Sequence, residues 1–171
     1  MTRIIHNISH AMALIAALAL GAMMLHVTAD VIGKYFFNSP IPGTAEVVAS
    51  YYMVTAVFLP LAWVEVSNGS IVVEVLYNLF PNIAKRLAEM LASAISALFY
   101  AGLAWLSLAP ALHAWRIGEV VEGTWRVVIW PTKFLLPLGL ALAGIVMLLR
   151  MLEIIRGGDR YFAPPATEEE Y

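Results

Sequence analysis

No cysteine occurs in the 171 residues. Disulfides, thiolate-bound metals and cysteine nucleophiles are therefore excluded together. Charge is nearly as scarce. Asp, Glu, Lys and Arg make up 13% of the chain, where a soluble domain carries roughly a quarter. The formal net charge of −2 leaves no basic surplus for a nucleic-acid backbone. The chain has no phosphate-cradling glycine loop, no Ser-His-Asp grouping and no metal-spaced carboxylate pair, so no catalytic constellation is visible and no enzyme is expected. Sequence repeats are also missing, which argues against an inverted-repeat carrier.

What the chain has in excess is apolar surface. Hydrophobic residues make up 61%, and the mean hydropathy is +0.81. Four apolar stretches stand out, at about 8–29, 44–66, 87–115 and 131–155. A spanning helix needs roughly 20 predominantly apolar residues. The expected fold is thus an all-α integral membrane protein with four transmembrane helices in one domain over residues 1–156. A secretory signal is the rival for the first stretch, since Ala17-Leu18-Ala19 resembles a cleavage site. The apolar run continues well past it, however, and signal cores hold only about 7–15 residues, which predicts a retained helix. The third stretch is overlong and predicts tilt or protrusion. Glu46, Lys133 and Arg150 clip the ends of the second and fourth, and are expected to reach the headgroups. Pro60, Pro110 and Pro137 are candidate kinks.

Between the second and third stretches, residues 70–80 put Ile71, Val72, Val75, Leu76 and Leu79 on one helical face. Ser70, Glu74 and Asn78 fall on the other. That pattern predicts a short amphipathic helix in the interface plane. Residues 157–171 form a polar tail ending in Glu168, Glu169 and Glu170, expected to be disordered. Lys and Arg in the short loops favour both termini on the cytoplasmic side, by Arg3, Lys85, Arg86, Arg150, Arg156 and Arg160 against Lys34, Arg116, Arg126 and Lys133. Small residues recur at four-residue spacing: Ala13, Ala17 and Gly21, then Ala84, Ala88, Ala92 and Ser96, then Leu140 and Gly144 beside Gly139 and Ala143. Such stripes let helices approach closely in lipid, either each other or a partner subunit.

Ionisable residues are absent from the expected midplane near Leu18, Thr55, Tyr100 and Ala143. A self-sufficient pump or carrier normally places charge there. Two other readings remain open. His26 and His113 lie near one end of helices one and three and would be the minimum for a bis-histidine haem in a membrane redox subunit. A homo-oligomeric channel or carrier is the other. At the ends of the first two helices, Lys34 is placed to pair with Asp30 or Glu46.

The run Asp30-Val31, Lys34-Tyr35-Phe36-Phe37-Asn38, Pro40-Ile41, Gly43-Thr44 and Glu46 resembles the small permease subunit of tripartite ATP-independent periplasmic (TRAP) transporters. Phe58-Leu59 and Ala62, Ile71-Val72-Val73-Glu74, and Trp130-Pro131 followed by Leu136-Pro137-Leu138-Gly139 fit the same family in order and spacing. Lys34 stands where the family often has Arg, losing bidentate geometry. Ser70 stands where a His often precedes the Ile. The resemblance implies a multi-pass protein of the bacterial inner membrane with no cofactor of its own. It would partner a large permease subunit that carries the sodium and substrate sites, and a periplasmic binding protein that delivers an organic acid. The small subunit would be a scaffold within that complex, among membrane lipids. Candidate structural or subunit contacts are Asp30, Lys34, Asn38, Gly43, Glu46, Glu74 and Trp130. Glu119, Glu122 and Arg126 are the candidates for docking the binding protein.

Overall fold

The computed structural model describes residues 2–67 and 82–156. The expected interfacial helix at 70–80, with Glu74, and the tail at 157–171 lie outside the described residues. Four helical spans are long and apolar enough to cross a membrane: Ile4–Phe37, Thr44–Val66, Ile83–Ile117 and Thr132–Ile155. The chain is thus an all-α membrane protein with four spans, as its composition requires.

Helix α1 (Thr2–Phe37) is 36 residues long. At 1.5 Å per residue it extends about 54 Å, well beyond a hydrocarbon core of about 30 Å. It ends at Asn38, which takes the left-handed conformation (φ 49), one of the few non-glycine residues that does so at modest cost. The second span runs in pieces. After α2 (Thr44–Val47) comes a π-turn over Val48–Tyr52, then α3 (Met53–Phe58) and α4 (Leu61–Val66). The break between α3 and α4 falls at Leu59-Pro60, where the proline ring supplies no N–H to the helical ladder. Helix α5 (Asn82–Ile117) carries Pro110 without a break in assignment. It closes in a Schellman motif: Gly118 has φ 62, its N–H donates to Trp115 O (3.2 Å), and the Glu119 N–H donates to Ala114 O (2.9 Å). Helix α6 (Leu135–Ile155) follows a 3-10 turn over Thr132–Phe134. Pro137 sits in its first turn, where the missing N–H costs nothing.

A two-stranded antiparallel hairpin joins α5 to α6. Strand β1 (Val120–Val121) pairs with β2 (Val127–Val128) in the register Val120↔Val128 and Val121↔Val127. Four β-branched valines flank a five-residue loop, a pattern that favours strands. The sequence analysis names Glu119, Glu122 and Arg126 in this segment as docking candidates but predicts no strands there.

The spans pack as a row. Helix α1 lies against the second span, the second span against α6, and α6 along α5. Ala62, Ala97, Val146 and Met147 form one core cluster, and Met12, Ala16 and Leu59 another. Within its most apolar stretch, α6 is 39% buried, against 17%, 11% and 11% for the first, second and third spans. The fourth span therefore has the largest share of buried residues; the second lies mostly half-buried between it and α1, and α1 and α5, at the two ends of the row, carry most of the exposed residues.

The small-residue stripes divide accordingly. Gly139, Leu140, Ala143 and Gly144 are buried. A Cβ on Gly139 would stand 2.0 Å from the Phe58 carbonyl oxygen, so glycine is what lets α6 touch the backbone of the second span. By contrast Ala17, Gly21, Ala88 and Ala92 are exposed, and a Cβ on Gly21 would meet nothing within 4 Å.

Candidate interaction surface at the hairpin end

The polar residues gather at the two ends of the row. At the hairpin end, the first connection is closed by Asp30, whose Oδ1 accepts the Ile41 N–H at 2.6 Å. Ser39 N–H donates to Gly33 O at 3.0 Å. Gly43 then turns the chain with φ 84 and starts the second span. It is buried, and a Cβ there would lie 2.8 Å from Trp125 Cβ. The hairpin loop thus rests directly on the start of the second span.

Glu46 holds it there. Its Oε1 accepts the backbone N–H of Thr124 at 2.6 Å, a charge-assisted bond of the stronger kind. Gly123 permits the approach, since a Cβ at that position would fall 1.8 Å from Glu46 Oε1. The Tyr51 hydroxyl donates a second bond, to Val128 O on the return strand. On the other side, Lys133 Nζ meets Glu119 Oε1 and Oε2 at 2.7 and 2.6 Å, and the Ile129 N–H donates to Glu119 O at 3.0 Å. The hairpin is therefore fastened to the second span and to the start of the fourth. Its tip presents Glu122 and Arg126, paired loosely at 3.7 Å with side chains 78% and 74% exposed. Such a pair adds little stability and remains available to a partner.

At the opposite end the polar groups bind helix to helix. Arg150 Nη2 pairs with Glu89 Oε2 at 3.2 Å, with side chains only 14% and 15% exposed. The Arg86 guanidinium donates to Ile154 O at 2.6 Å. Nearer mid-span, the Tyr100 hydroxyl donates to Glu65 Oε1 at 2.7 Å, so a carboxylate from the second span reaches the α5 residue expected at the midplane. His6 and His10 both pack edge-on to Trp63, with ring centroids 5.0 and 4.9 Å away.

These positions correct several expectations. Glu46, Lys133 and Arg150 were expected to reach toward headgroups, yet each finds a partner within the protein. Lys34 is exposed, and among the described residues no ion pair joins it to Asp30 or Glu46; both carboxylates accept backbone N–H groups instead. Asn38 and Gly43 supply backbone turns, and Trp130 is half-buried. Of the three docking candidates, Glu119 is turned inward to Lys133, while Glu122 and Arg126 stand at the tip. The haem reading finds no geometry: His26 on α1 packs against Tyr52 at 5.9 Å, and His113 is exposed on α5, at the other end of the row from α1. Tyr51, Gly123, Thr124 and Glu89 were not singled out. Glu89 could have been, since a carboxylate inside an apolar stretch calls for a partner.

Residues 23–157 match the family model described as tripartite ATP-independent periplasmic transporters, DctQ component. The chain belongs to that family. No curated protein and no solved structure matches it significantly. For this DctQ-family chain, membership means a small subunit of a TRAP transporter. The residues that carried the resemblance from Asp30 to Glu46 are the ones that close the first connection and receive the hairpin.

Proposed function

We propose that the chain is the fixed scaffold of a sodium-coupled TRAP transporter for organic acids. It lies in the bacterial inner membrane with both termini cytoplasmic, so the hairpin faces the periplasm. Its open row of spans enlarges the stationary part of the large permease subunit, and the hairpin tip helps dock the periplasmic binding protein.

One observation carries this reading. Every ionic or charge-assisted contact described for Glu46, Glu89, Glu119, Lys133 and Arg150 ties one element of this chain to another. A stator needs rigid contacts of that kind and broad faces for its neighbours. The exposed outer surfaces of α1 and α5, at the two ends of the row, offer such faces. In lipid, packing against a partner rather than water expulsion would drive that association.

The test is co-purification. The tagged chain is expressed with its neighbouring genes and extracted in mild detergent. A stoichiometric, much larger multi-span membrane protein is the expected companion. If the chain elutes alone and monodisperse while the large subunit purifies stable and active by itself, the scaffold reading fails.

A further inference from the structure

Glu46 and Tyr51 both bond to the hairpin, Glu46 to the loop at Thr124 and Tyr51 to the return strand at Val128. They are five positions apart. In a regular α-helix five residues advance about 500°, leaving the two side chains roughly 140° apart around the axis. They could not both face one hairpin. Tyr51 itself lies within the π-turn Val48–Tyr52, where the Met53 N–H donates to Val48 O, five residues back. That wider turn absorbs one residue. Glu46 and Tyr51 then stand as an i,i+4 pair would, about 40° apart on a single face. The same turn leaves Tyr52 facing His26 on α1. Below it, Leu59 and Ala62 keep their places in the two core clusters.

We propose that the π-turn is a register device that couples hairpin seating to the conformation of the second span, with Glu46 and Tyr51 as positioning residues. An isolated π-turn is a rare and costly variant of an α-helix, and persists where its surroundings favour it. Here the hairpin bonds supply that preference. Seating the hairpin holds the π form. Releasing it lets residues 48–53 relax toward regular α-helix, which turns Tyr51 off the hairpin. The hairpin and the upper second span are thus one two-state element. The use of that element rests on the hairpin being the docking surface, because a partner that grips the tip then acts on the membrane span beneath it.

The test is amide hydrogen exchange on the intact membrane complex, comparing wild type, Tyr51→Phe and a chain lacking Ala49. Ala49 is exposed, so its deletion removes the extra residue without removing a core contact. Tyr51→Phe should speed exchange about tenfold in the hairpin, the scale of one lost hydrogen bond, and change the protection of residues 48–53 as their π-type bonds give way to α-type ones, with residues 61–66 unchanged. Deleting Ala49 makes Glu46 and Tyr51 a true i,i+4 pair on a regular α-helix, so the hairpin should stay seated without the π-turn. The proposal is overturned if Tyr51→Phe loosens the hairpin while exchange at residues 48–53 is the same as in the wild type. It is equally overturned if the deletion unseats the hairpin in an assembled complex. Should the shortened chain fail to assemble, Tyr51→Phe decides alone. Adding the binding protein afterwards tests the docking reading separately: unprotected amides at 122–126 would sink that reading and leave the coupling standing.

Discussion

Glu89 on α5 and Arg150 on α6 meet at 3.2 Å with both side chains largely withdrawn from solvent, which makes them a clamp between the two most closely packed spans. A carboxylate inside an apolar stretch is costly unless paired. Arg150→Met strands that charge and should destabilise the chain by about 3–5 kcal/mol. Glu89→Gln should cost less, since the amide still accepts a hydrogen bond. The double substitution should cost less than the sum of its parts. Thermal unfolding in detergent reads all three, and strict additivity would show that the pair is not coupled.

Gly123 and Glu46 form a second dependent pair. Gly123→Ala places a Cβ where Glu46 Oε1 sits, so the carboxylate must swing away from Thr124. The expected cost is about 1.5 kcal/mol, the low end for a hydrogen bond to a charged group at a partly exposed site. In a Glu46→Ala background the same change should cost close to nothing. Urea-induced unfolding compared across the four chains tests this, and an undiminished cost in that background would refute the steric account.

Two helical glycines should respond in opposite directions. Gly139→Ala drives a Cβ into the Phe58 carbonyl, backbone against backbone, and should destabilise by about 1–3 kcal/mol through overpacking. Gly21→Ala meets open space and should stabilise α1 by about 0.5–1 kcal/mol, the ordinary gain of helical alanine over glycine. Melting temperatures of the isolated chain distinguish them. Comparable losses at both sites would contradict the row arrangement, which leaves Gly21 facing outward.

At the hairpin tip, stability and function should separate. Replacing Glu122 and Arg126 together by Ala should change the stability of the chain by no more than about 0.5 kcal/mol, because their ion pair is long and exposed. Binding of the periplasmic partner to the reconstituted complex should weaken. Docking at wild-type strength would remove the tip from the contact surface.

The fold was readable because lipid imposes a simple rule: the backbone must satisfy itself, and long apolar runs do so as helices. The four stretches needed no knowledge of partners; the second reappears with the same bounds and the other three with shifts at their ends. Helices α1 and α5 run further than their apolar windows, since helical hydrogen bonding continues past the hydrocarbon boundary. The turn positions were legible for the same local reason. Asn38 and Gly43 announce a change of direction, and both adopt positive φ.

Side-chain destinations were not legible, because they depend on which helix lies beside which. Small-residue spacing looks alike at Ala17-Gly21 and at Gly139-Ala143, yet only the latter is buried. Lys133, Arg150 and Glu46 each carry a charge near a span end, and sequence alone suggests headgroups for all three. Their true partners lie 14, 61 and 78 positions away. Chain composition and periodicity, acting through the local need to satisfy backbone groups, determined that this protein spans the membrane four times and where it turns. Tertiary structure decided the order of the row, the ion pairs and the seating of the hairpin, because those rest on distances between residues far apart in the chain.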